Sequence, residues 1–218
     1  MKKRTIIAIA LLILLTTIST KKKVIISKFN LKEILISNNS LVKEKDIKFL
    51  LTPIYNKNLI FLKNSEIKKL LLEENFIESF KLKKKYPDTI KIEIFEKKPI
   101  AILINKKNKF YISKKIDLIE FKKLPNFQNL PYIFGDKENF KKLFYNLNEI
   151  NFPLKEIKKY TLYETGRWDL KTKNDKTIKL PVENYIKSLE NYLNIRSKKD
   201  FKNFEVFDYR INNQLILK

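Results

Sequence analysis

The chain has 218 residues, 47 of them Lys or Arg against 24 Asp or Glu, giving a net charge of +23, and it contains neither Cys nor His. That composition excludes disulfides, thiolate or imidazole metal sites, cysteine nucleophiles and any Ser–His or Cys–His catalytic pair. The two glycines, Gly135 and Gly166, lie in no phosphate-binding frame. In chain order, MKKR leads into an uncharged run over 5–20, followed by Lys21, Lys22 and Lys23. Sixteen helical residues span roughly 24 Å, and flanking lysines that snorkel make up the shortfall against a bilayer core. A cleaved leader is the rival reading. The small-residue site Thr17-Ile18-Ser19 lacks Ala and would leave three lysines after the cut, so an uncleaved transmembrane anchor is expected. Three basic residues on each side leave the orientation tied.

Residues 24–38 read as a strand, and Asn38-Asn39-Ser40 as a turn able to cap a helix. Val42, Ile47, Leu50, Leu51 and Ile54 recur at helical spacing up to Pro53, and 58–61 is a short apolar stretch. Asn64 or Ser65 then caps a second helix with Ile67, Leu70 and Leu71 on its inner face. Phe80 and Leu82 alternate with polar residues in one strand, and Ile90, Ile92 and Ile94 alternate with Lys91 and Glu93 in the next. Tyr86-Pro87-Asp88-Thr89 is the hairpin turn between them. The order strand–helix–helix–strand–strand defines a small α+β unit with both helices on one sheet face.

From Pro99 the pattern is strand-rich. Short strands are expected at 100–104, 109–113 and 116–121, and Leu124-Pro125 and Leu130-Pro131 punctuate a loop. Phe140, Leu143, Phe144, Leu147 and Ile150 form a helical stripe, followed by strands near 155–163, 168–173 and 176–180. Val182, Ile186, Leu189 and Leu193 make a second helix face, and strands at 204–209 and 213–217 close the chain. In the last of these, Leu215 and Leu217 face the sheet core while Asn213 and Ile216 lie elsewhere.

Carboxylate pairs such as Glu73 with Glu74, or Asp117 with Glu120, lie on element surfaces beside lysines, with no cleft marked between two facing carboxyls. No enzymatic activity, metal or cofactor is expected. Arg stands only at positions 4, 167, 196 and 210, so 43 of the 47 basic residues are Lys. With Ile, Asn and Phe also abundant, this reads as an AT-rich coding bias rather than a specific nucleic-acid site, where forked Arg contacts dominate. Arg167 and Arg210 stand out against that bias. Their guanidinium groups pair either internally, with Asp208 for example, or across an interface. Trp168, on an alternating strand, is expected in the core.

The ordered set ILISNNSLVKEKDI, NLIFL and KLKKKYPDTIKIEIFEKKPIA (81–101), then LPYIFG (130–135), GRWDL (166–170) and FDYRINNQLILK (207–218), resembles the FtsQ/DivIB family of bacterial cell division proteins. Asn38-Asn39 replaces that family's Gly-Asn turn, and Lys97 its Arg. The resemblance implies a cytoplasmic stub (1–4), one transmembrane helix (5–20), a POTRA domain of βααββ order (29–97) and a β-rich domain with two helices and an exposed C-terminal edge strand (98–218). It breaks the orientation tie: an inner-membrane, single-pass protein, periplasmic in bulk, at the division septum.

The implied function is a divisome scaffold linking early and late division proteins. It would hold an FtsB–FtsL pair through the β domain and upstream division proteins through the POTRA domain. The expected partner-binding residues are Arg167 and the closing segment Tyr209, Arg210, Ile211, Asn212, Asn213, Gln214, Leu215, Ile216 and Leu217, with the helix at 183–193 beside them. A free strand edge recruits another strand by main-chain hydrogen bonds, so proline at Gln214 or Ile216 is expected to remove a donor and weaken binding. Two other classes fit less well. An outer-membrane assembly or secretion factor carries a long β-barrel after its POTRA unit, for which about 120 residues with two helices do not suffice. A polyanion-binding protein would show a steep salt dependence on nucleic acid.

Overall fold

The computed structural model describes residues 3–16, 27–211 and 214–218. The chain divides into two compact units, one ending at Lys97 and the other starting at Lys98. Helix α1 (Lys3–Thr16) carries every apolar side chain exposed. At 14 residues it is about 21 Å long. No helix among the described residues is long and apolar enough to cross a membrane. The remainder of the expected span, 17–20, and the lysines after it lie outside the described residues.

In the first unit the elements are β1 (Glu33–Ser37), α2 (Glu44–Leu50), a 3-10 turn (Thr52–Ile54), α3 (Asn64–Leu71), β2 (Ile77–Lys85) and β3 (Thr89–Glu96). This is the βααββ order the periodicities predict. The sheet runs β1-β3-β2, with β1 parallel and β2 antiparallel to β3. Ile90, Ile92 and Ile94 are fully buried and share a face with Ile34, while Ile47, Ile67 and Leu71 are the buried residues of the helices.

Three local expectations change. The first strand begins at Glu33 rather than at 24, because 27–30 turns and bridges Asn30 to Asn58 (24–26 lie outside the described residues). Neither Asn64 nor Ser65 caps α3, whose N-cap is Lys63 without a side-chain bond. Asn38-Asn39-Ser40 caps no helix either, since α2 starts at Glu44 after Lys43. Asn38 instead takes φ +63°, and its amide donates to the Ile94 carbonyl at 2.8 Å. The amides of Ser40, Leu41 and Val42 converge on the Glu96 carboxylate at 2.8–3.1 Å, joined by the Ser40 hydroxyl at 2.7 Å. Backbone donors in the turn that leads toward α2 need acceptors, and here one carboxylate at the end of β3 supplies them.

The second unit contains β4 (Pro99–Asn105), β5 (Asn108–Ser113), β6 (Leu118–Glu120), β7 (Tyr132–Phe134), α4 (Lys137–Glu149), β8 (Ile157–Leu162), β9 (Trp168–Thr172), β10 (Thr177–Lys179), α5 (Tyr185–Ile195), β11 (Val206–Asp208) and β12 (Ile216–Leu217). They form one nine-stranded sheet in the order β12-β11-β10-β9-β8-β7-β4-β5-β6. Strand β7, expected as loop, pairs in parallel with both β4 and β8. Its three residues were too few to show alternation.

Parallel pairing of β7 with β8, and of β10 with β11, is made by crossovers that carry α4 and α5. Both helices bury their apolar stripes on one sheet face, against Ile133, Tyr160, Trp168, Leu170, Ile178 and Phe207. Val182 falls outside α5 and is exposed. Gly135 is dictated by packing: a Cβ there would meet Leu162 Cβ at 2.9 Å and the Trp168 ring at 3.3 Å.

Candidate functional site

The functional geometry lies at the β12 end of the large sheet. Among the described residues, β12 pairs only with β11 and leaves its other side open. Val206 and Lys218 exchange both backbone hydrogen bonds, at 3.0 and 3.1 Å. Bonding alternates along an antiparallel pair, so Asp208 and Ile216 form the next bonded pair and the Ile216 N–H points inward to β11. The outward backbone groups are those of Leu215 and Leu217. Their side chains pack against the core, whereas Ile216 is exposed.

This corrects the proline expectation at both positions. Ile216 donates into the sheet, and the Gln214 N–H is engaged by the Ile211 carbonyl at 3.2 Å. Asn212 and Asn213 lie outside the described residues.

Next to the start of β12 lies a groove of about 440 Å3, lined on one side by α5 and its entry (Glu183, Asn184, Lys187, Ser188, Asn191) and on the other by Tyr209, Ile211, Gln214 and Leu215. The Tyr209 hydroxyl donates to Asn191 Oδ1 at 2.9 Å and so ties the closing segment to the helix. Burial pushes that hydroxyl's pKa above the ordinary tyrosine range. The groove wall is polar, with Ile211 half exposed on its rim.

On the sheet face away from the helices, the register places Thr161, Asp169, Lys179, Asp208 and Ile216 in one row across β8 to β12. Asp169 and Asp208 are nearly inaccessible, and each is matched by an arginine. Arg210 grips Asp208 through Nε at 2.8 and 3.0 Å and through Nη2 at 2.6 Å. That grip holds the Asp208 carboxyl below the usual carboxylate range. Arg167 reaches Asp169 at 3.1 Å and lies over the Tyr163 ring at 4.2 Å.

Both arginines therefore satisfy internal carboxylates, the first of the two readings left open by sequence. Arg210 keeps nearly half of its side chain in solvent, at 44 % exposure, and Arg167 does not line the groove. Lys179, Asn191 and Asp169 escaped sequence reasoning. Asp208 was named from sequence and Asp169 could have been, as a charged residue on a largely buried strand, but their shared row needs the parallel β10–β11 register. Trp168 is buried in the core, as its alternation predicts. Among the described residues no group of three or more carboxylates could hold a metal ion.

A βααββ unit followed by a β-rich unit with an open closing edge defines the class: a POTRA-bearing protein with an appended β domain. Family models agree, with "POTRA domain, FtsQ-type" matching 29–97 and "Cell division protein FtsQ/DivIB, C-terminal" matching 101–210. The chain belongs to the FtsQ/DivIB family of cell division proteins. It is 27 % identical over 190 residues to the cell division protein FtsQ of Rickettsia conorii, covering 85 % of this chain and 71 % of that one. To FtsQ of Rickettsia bellii it is 28 % identical over 193 residues, with the same coverage. Among solved structures, the major extracytoplasmic domain of DivIB from Geobacillus stearothermophilus matches at 16 % identity and a TM-score of 0.35, over 50 % of this chain and 98 % of that one.

Proposed function

We propose that this protein is a non-enzymatic scaffold of the bacterial division apparatus, anchored in the inner membrane through residues 5–20 with its bulk in the periplasm. In this reading its β domain holds an FtsB/FtsL-type partner along β12, and its POTRA domain meets upstream division proteins. The observation that carries it is the open side of β12, where the backbone groups of Leu215 and Leu217 face outward beside a polar groove. An added strand satisfies such groups, and its side chains select through the groove and the exposed Ile216. Tyr209, Ile211, Gln214 and the α5 residues Lys187 and Asn191 form the groove contacts, while Arg210 and Arg167 brace the strands behind the edge.

The test is semisynthesis of the chain with an ester in place of the Leu217 amide, which deletes one outward donor and keeps every side chain. Binding to the FtsB–FtsL pair is expected to fall at least tenfold, roughly 1.4 kcal/mol, with little change in melting. The same replacement at Ile216 should lower stability instead, because that donor serves β11. Unchanged affinity with the Leu217 ester moves the interface off this edge.

A further inference from the structure

We propose that the end of the POTRA unit at which the chain enters it docks on the surface of an anionic lipid bilayer. Three segments meet there. The Leu31 N–H donates to Lys57 O at 2.9 Å and the Leu59 N–H to Phe29 O at 2.8 Å, joining 29–31 to 57–59. The Lys32 N–H donates to Asp88 O at 2.8 Å, and the Phe29 and Tyr86 rings meet edge to face at 6.0 Å, which adds the β2–β3 turn. Asn58 shapes the middle segment: its Oδ1 accepts the Ile60 N–H and its carbonyl the Leu62 N–H, both at 3.0 Å. Leu59 and Leu62 are thereby buried, while Ile60 and Phe61 are held outward at 48 % and 72 % exposure, with Tyr86 at 57 %.

Charge at this end exceeds the chain's general lysine content. Residues 27–32, 56–63 and 84–88 hold six lysines among 19 residues, against 43 among 218 in the whole chain, and Asp88 is their one carboxylate. Lys32 faces Asp88 at 3.7 Å and Lys57 pairs with Glu66 at 2.8 Å. Lys28, Lys63 and Lys85 form no ion pair among the described residues.

Aromatic and aliphatic side chains with unpaired lysines next to them in the same three segments suit the headgroup layer of an anionic membrane, with rings at the acyl boundary and ammonium groups at the phosphates. The connection favours it further. This rests on the anchor reading, in which 5–20 occupies the bilayer; the residues between α1 and Ser27 then span at most roughly 40 Å. A surface tethered that closely needs little intrinsic affinity to stay docked. The lipid surface thereby fixes which way the POTRA unit presents its sheet edges to other proteins.

The experiment uses the full chain in lipid nanodiscs whose acyl chains carry bromine. Phe61→Trp places an indole on the docking end, and the buried Trp168 supplies the background. Bromolipid is expected to quench the introduced indole about twofold in phosphatidylglycerol-containing discs, and far less once Lys28, Lys63 and Lys85 are each replaced by Glu. In the unsubstituted chain, amide exchange at 59–62 should slow in anionic discs relative to phosphatidylcholine discs. An indole that stays open to aqueous iodide in discs holding the chain overturns this inference alone. So does quenching that is equal in phosphatidylcholine, or protection of 59–62 only on adding a division protein. A chain that does not co-purify with the discs overturns the anchor reading as well.

Discussion

Glu96 and Asp208 are single carboxylates on which neighbouring backbone depends. Glu96 gathers three consecutive N–H groups at the entry to α2, so Glu96→Ala leaves donors that water satisfies only in part. The expected loss is about 2 kcal/mol of POTRA stability, read by chemical denaturation. Asp208 makes a prediction with a definite sign. Its carboxyl is held below the ordinary value by the hydrogen-bonded Arg210, so its contribution is present above pH ~4 and lost as pH falls through the depressed folded pKa. Asp208→Asn should therefore destabilise by about 1 kcal/mol at pH 7, a modest figure because Arg210 stands half in solvent. The gap to the unsubstituted chain should close below pH 4 in parallel thermal melts. A gap independent of pH would assign the loss to packing.

At the scale of elements, Ile92 tests the first sheet. It is fully buried on β3 between Ile36 of β1 and Leu82 of β2, so Ile92→Asp places a charge in an apolar layer. The expected cost is about 3–5 kcal/mol. Trp168, the single tryptophan, lies in the other unit's core and gives that unit a private signal. Its emission and its melting transition should survive Ile92→Asp while the circular dichroism transition of the first unit is lost; a shared collapse would show the two cores to be interdependent.

Period-two alternation in β3 and the helical stripe of α4 were legible because their patterns run over eight and thirteen residues. The three-residue strand β7 was not, since a strand that short is defined by what pairs with it, whereas β12, expected over 213–217, is present but confined to two residues. The candidate edge was legible as a closing apolar alternation at 215–217. Which of its amides face outward was not, because that depends on the Val206–Lys218 bonds. Glu96 was visible only as part of a motif. The reason for a carboxylate there appears once β3 is seen to end beside the 40–42 backbone.

Across the whole molecule, charge separates specific from general attraction. The chain after residue 23 keeps 41 basic against 24 acidic side chains, and all four arginines cannot be free to read nucleic acid, since Arg167, Arg196 and Arg210 hold internal carboxylates. Binding to single- or double-stranded DNA is expected only at low ionic strength and should vanish by about 0.15 M salt, followed by fluorescence anisotropy. Retained affinity at that salt, with a discrimination between sequences, would reopen the polyanion reading.

The parallel neighbour of β11 has a consequence for the order in which the molecule is completed. Among the described residues strand β12 rests on β11 alone, and β11 in turn pairs in parallel with β10 across a crossover that carries α5. A chain still emerging, or one whose crossover has come loose, has no edge to offer. The amides of 206–208, Ile216 and Lys218 should accordingly exchange with deuterium as one cooperative group, while the outward Leu217 amide is protected only when a partner strand is bound. A partner strand of the kind proposed for β12 would then find its edge only on copies in which β10, α5 and β11 are all in place.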